Sequence, residues 1–136
     1  MVNSKPDMIQ VYDLRRNRNR VADVQHATLH TDRYGIVPDH GLFGSDEWWQ
    51  AIGSGAIETH TVEGHISRVY MSGHNDFPEF EVDDGSSRTQ WERFGDDDWY
   101  VVGRRIRVDF VLTRSRYSGD LSPTVIRVWI GDDHDA

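Results

Sequence analysis

With 136 residues, fifteen aromatic side chains and no cysteine, the chain can build one cored domain, residues 1–136, but no disulfide, thiol chemistry or cysteine-ligated zinc. No apolar segment suits a signal peptide or a membrane span, so a soluble cytoplasmic protein is expected. The net charge of −8 is uneven: residues 1–44 carry six basic and five acidic side chains and residues 45–136 nine and eighteen, an acidic body that repels nucleic acid and attracts a basic protein.

Residues 1–44 form an N-terminal extension in which "MIQVYDL" reads as a strand. Arg15, Arg16, Arg18 and Arg20 in "LRRNRNR" resemble a nucleic-acid arm, but phosphate binding calls for a larger basic surface, so a solvated, mobile loop is expected. "VADVQHATL" stays open between strand and helix, and "ATLHTDRYGIVPD" reads as a hairpin around residues 32–35. A short helix is signposted over residues 45–53. Ser45 is a good N-cap, Asp46 and Glu47 suit the positive end of the helix dipole, and Gly53 or Gly55 supplies a left-handed stop. Trp48 shares a face with Ile52 while Trp49 points about 100° away, so one tryptophan plugs the core and the other covers its rim.

"IETHTVEGHISRVYM" is a long strand whose apolar face moves from Val62 and Ile66 to Val69 and Met71, which predicts a bulge between Gly64 and Val69. In "PEFEVDDGSSRTQW", Asp84–Gly85 suits a two-residue turn. That register puts Phe80, Val82 and Trp91 inside and pairs Glu81 with Arg88 across the strands. Asp83 and Asp84 then belong to a turn, and Asp96, Asp97 and Asp98 to a turn or short helix leading into the next strand. In "RRIRVDFVLTR", Ile106, Val108, Phe110 and Leu112 form one face. In "TVIRVWIGD", Ile126, Val128 and Ile130 do the same, and "YSGDLSP" joins the two as an antiparallel hairpin. Residues 132–136 are a polar tail.

The chemistry-bearing residues fail the spacing tests for a metal or a catalytic centre. An EF-hand loop centred on Gly85 or Gly103 lacks oxygen ligands at most positions. His26 and His30 are four apart but belong to no "HExxH", His60 and His65 fall on opposite sides of a regular strand, and His134 lies in the tail. No nucleophile elbow, phosphate loop or dinucleotide fingerprint occurs. Glu79 and Glu81 share a strand face, yet nothing supplies the desolvated cleft that tunes an acid–base pair. No enzyme, metal or cofactor is therefore expected.

The order of strands over residues 57–131, a long strand broken by Gly64, then a hairpin, a connector ending in "YVVG" and two alternating strands, resembles the OB-fold. The resemblance implies a mainly β fold, a five-stranded small β-barrel preceded by N-terminal strands and a capped helix; an SH3-like or other small barrel is the alternative. It also implies binding of single-stranded nucleic acid or another anionic ligand, for which Arg105, Arg107, Arg127 and Trp129 supply an outward basic and aromatic face. Net charge favours a different class, a non-catalytic protein-interaction module for a basic protein partner. Asp83, Asp84, Asp96, Asp97 and Asp98 would steer that partner, and Trp129 and the arginines would anchor it. Small, acidic, cysteine-free inhibitors of basic toxins or nucleases share this make-up.

Overall fold

A computed structural model describes residues 8–73 and 76–131. Six strands and two helices follow in the order β1 (Met8–Asp13), α1 (Arg18–His30), α2 (Asp46–Ser54), β2 (His60–Ser72), β3 (Phe77–Asp83), β4 (Arg88–Glu92), β5 (Arg105–Arg114) and β6 (Leu121–Gly131). The strands form one sheet in the order β1-β6-β5-β2-β3-β4. The fold is mainly β, as expected, but the sheet is not closed into a barrel. The N-terminal strand β1 occupies the outer edge of β6, which leaves β1 and β4 as the two edge strands. Tyr12 stacks on Phe94 just beyond β4, with ring centroids 4.4 Å apart.

The chain divides into two compact units. The first contains β1 up to Tyr12, Thr61–Val108 and the chain from Arg127; the second contains Asp13–His60 and Asp109–Ile126. In the first, Ile66, Phe80, Val82, Trp91, Tyr100, Ile106, Val108, Val128 and Ile130 are buried. The bulge in β2 falls between Ile66 and Arg68, inside the expected window. Gly64 is required by close approach, because a Cβ there would sit 2.1 Å from the Asp83 carbonyl oxygen.

The β3–β4 hairpin keeps the expected faces and changes the register. Asp83 pairs with Arg88, Glu81 with Gln90 and Phe80 with Trp91, so the loop holds four residues rather than two. Asp84 causes this: its Oδ1 accepts from the Ser86 and Ser87 amides, each at 2.8 Å, and its own amide donates to the Ser87 carbonyl. Because the slip is even, Phe80, Val82 and Trp91 remain buried. The expected Glu81–Arg88 pair is replaced by Asp83–Arg88 at 3.4 Å. The second acidic cluster is the expected turn: Asp96 caps a 3-10 turn over Asp97–Trp99 through the Asp98 amide.

The second unit departs further from expectation. The arginine-rich stretch is not a free loop. Leu14–Arg16 forms a 3-10 turn with Leu14 fully buried, and Arg18 and Arg20 open helix α1 behind the Asn17 cap. Residues 27–30 close that helix instead of starting a hairpin. Helix α2 follows the expected rules: the Trp48 amide donates to Ser45 Oγ at 3.2 Å, and Gly55 ends the helix at φ 88°. Trp48 is buried against Phe43, whereas Trp49 is half-buried with the Arg15 guanidinium over its ring.

β5 does not keep one parity. Ile106 and Val108 are buried as expected, but beyond them Asp109, Val111 and Thr113 are buried, Leu112 is exposed, and Phe110 is half-buried against His60. The change falls where β5 passes from the first unit into the second. In β6, Thr124, Val125 and Ile126 are buried in succession, so both faces are covered there. The β5–β6 connection is too short for a crossover, so these adjacent strands form the expected antiparallel hairpin.

Candidate functional site

In the first unit, Arg105 and Arg107 on β5 and Arg127 and Trp129 on β6 alternate with buried residues along their own strands. On β5 their neighbours Ile106 and Val108 are buried, and on β6 Ile126, Val128 and Ile130. Arg107 is exposed, while Arg105, Arg127 and Trp129 are half-buried. Asp83 and Asp84 lie at the β3–β4 loop, and Asp96, Asp97 and Asp98 in the turn after β4. Asp97 Oδ1 lies 3.6 Å from Nη1 of Arg93, whose Nη2 donates to the Tyr70 carbonyl at 3.1 Å.

A more ordered acidic surface lies on the outer face of β2, β3 and β4. Alternation along β3 places Glu79, Glu81 and Asp83 in one column opposite the buried Phe80 and Val82. Each carboxylate has a fixed neighbour: Tyr70 Oη donates to Glu79 at 2.8 Å, Ser67 Oγ and Gln90 Nε2 donate to Glu81 at 2.9 and 2.8 Å, and Arg88 meets Asp83. The bonds from Gln90 and then Ser67 hold the Glu81 carboxyl below its ordinary pKa. The amides of Ser86 and Ser87 do the same for Asp84. Partial burial, reinforced by the bond to Glu79, raises the Tyr70 phenol. Glu79 also faces Glu92 on the edge strand, an opposition of like charges that destabilises a sheet and that a cation would relieve.

Sequence alternation revealed Glu79 and Glu81 as an outward pair. It missed their donors, because Ser67 reaches Glu81 only through the bulge and Gln90 only through the four-residue loop.

The second unit holds a half-open cleft of about 230 Å³. Trp48, Ile57 and Leu112 line it, with Asp39, Glu58 and Arg114 among its polar residues. His40 and His60 also line it, yet among the described residues no group of three such side chains is placed to hold a metal ion. Nearby in the chain, Arg116 closes the C-terminal end of α1: its guanidinium donates to the carbonyls of Thr28, Thr31, Asp32 and Tyr34. Tyr34, held by that clamp, stacks on Tyr117 at 5.7 Å, and both rings are more than half exposed. No sequence pattern joins Arg116 to a segment more than eighty residues earlier.

The model of the immunity protein RhsI2 family matches residues 8–119, which spans both helices and β1 through β5. The chain belongs to the RhsI2 immunity protein family. No curated protein matches it. Membership in RhsI2 gives the chain a coarse function, the binding of a protein partner. Among the described residues no helix is long and apolar enough to cross a membrane.

Proposed function

We propose that this RhsI2-family chain neutralises a toxin by binding it in the cytoplasm, without catalysis or cofactor, and that the toxin is basic. One observation carries the choice of surface: the ordered column of Glu79, Glu81 and Asp83, continued by Asp84 at the loop. Carboxylates already held by neighbours lose little freedom when a partner's arginine or lysine arrives. The loop and turn aspartates, Asp84, Asp96, Asp97 and Asp98, extend the negative field and steer approach.

Arg107, Arg127 and Trp129 support a second reading, an anionic or nucleic-acid ligand, which the net charge of −8 opposes. The test is kinetic. A toxin domain captured by the chain should associate about tenfold more slowly with the E79Q/E81Q/D83N variant at low salt and at a nearly unchanged rate at high salt, as screening removes the steering. Cells carrying the toxin should survive with the wild-type chain and lose protection with the variant. The second reading is favoured instead if neutralising these groups raises affinity for an oligonucleotide while toxin binding is unchanged.

A further inference from the structure

The cleft of the second unit is smaller than the roughly 300–1,000 Å³ of a small-molecule site, which argues for a single side chain rather than a metabolite as its occupant. Its chemistry is divided. Ile57 and Leu112 contribute apolar lining over the buried Trp48, and Asp39 and Glu58 contribute two carboxylates. The arginine in the lining, Arg114, is turned to the hairpin loop, where its Nη1 donates to the Gly119 carbonyl, and His40 and His60 complete the polar lining. What such a cleft fits is an aliphatic stem ending in a cation. Arginine suits it better than lysine, because a planar guanidinium meets carboxylates through paired donors while its stem lies along apolar surface.

The geometry points to this cleft as a socket for one arginine side chain of the protein partner. The inference rests on the toxin-binding proposal for the partner's identity, but not for the chemistry of the socket. Charge complementarity supports it: the chain carries 23 acidic against 15 basic side chains, and the cleft repeats that sign locally. The walls are set before binding. Trp48 is pinned by Phe43 and by the Ser45 cap of α2, and the Val37 amide is fixed to the Arg114 carbonyl at 2.9 Å. A preformed socket loses less ordering entropy on binding than a mobile loop. The exposed Leu112 and Leu121 on the adjoining hairpin extend the apolar surface along which an arginine stem would lie.

The probe is N-acetyl-arginine N-methylamide, titrated into the full chain and followed by NMR at the Trp48 indole and the amides of Ile57, Glu58 and Leu112. Saturable shifts confined to the cleft are expected, with a dissociation constant on the order of 1–10 mM for so small a ligand. The norleucine analogue, which keeps the stem and lacks the cation, should bind at least fivefold more weakly, and the glutamate analogue should not bind. Glu58→Gln and Asp39→Asn should each weaken arginine about threefold with an otherwise unchanged spectrum, so a failure to fold is recognised directly. Equal binding of norleucine and arginine, binding of glutamate, or no saturable shift with arginine overturns the socket. Because no toxin is present, these outcomes are separate from the fate of the toxin-binding proposal. A toxin that binds a chain whose cleft ignores arginine removes the socket alone.

Discussion

The two units are held together by different means. In the first, cross-strand side chains carry the structure: Phe80 opposite Trp91, Phe80 against Tyr100 with centroids 4.9 Å apart, and the donor-held carboxylates of β3 on the outside. In the second, side chains close exposed backbone ends. Asp13, Asn17 and Ser45 cap successive turns, Thr28 Oγ1 accepts from the Ile36 amide, and Arg116 gathers four carbonyls. The first arrangement depends on apolar area removed from water, the second on polar groups that must not be left unsatisfied. Substitution should therefore hurt the first unit through volume and the second through lost partners.

The largest expected effect is in the first unit. Phe80→Ala removes a fully buried ring and should cost about 3–5 kcal/mol in urea unfolding, whereas Phe110→Ala, at a half-buried ring, should cost less than half as much. Equal losses would break the distinction drawn along β5. Next comes Gly64→Ala, whose Cβ meets backbone rather than a flexible side chain. It should destabilise by about 3 kcal/mol, the upper end of overpacking, visible as a lower melting temperature.

Arg116→Ala probes the second unit. It should cost about 2 kcal/mol, in the range of charged hydrogen bonds, and hydrogen exchange should accelerate first at the C-terminal turn of α1. Uniform acceleration across β3 and β4 would show that the two units do not respond separately. Ser45→Ala should cost about 1 kcal/mol by uncapping α2.

The smallest effect concerns acid. The Asp84 carboxyl is depressed in the folded state by the Ser86 and Ser87 amides, so its contribution is present above the unfolded value near about pH 4 and lost as pH falls through the folded value. Asp84→Asn keeps the acceptor oxygen and abolishes the titration. A stability profile below about pH 4 that is slightly flatter than wild type is the expected result, and an identical slope would contradict it.

Much of the first unit was legible because its elements follow local rules. The bulge of β2 shows as a parity change and the β3–β4 turn as Asp84–Gly85; in the second unit only α2 is as plain, as a cap with two acids behind it. Helix α1 was not legible. Its inward residues, Val21, Val24, Gln25 and Thr28, form too weak an apolar stripe, and none of its side chains is fully buried. The alternation of β5 misled for the opposite reason: apolar residues at even positions imply one buried face, yet Asp109 and Thr113 are buried on the other.

By itself, then, the sequence determined a mainly β chain with a capped helix, an inward Phe80, Val82 and Trp91, and a net charge of −8. Those features arise from period, turn chemistry and charge, which act over a few residues or over the whole composition. Only the tertiary structure decided that β1 takes the edge of β6 and leaves the sheet open, that Ser67 and Gln90 hold Glu81, and that Arg116 closes α1. Each of these joins groups distant in sequence, and their pairing depends on which strand edge and which backbone carbonyls the folded chain leaves unsatisfied.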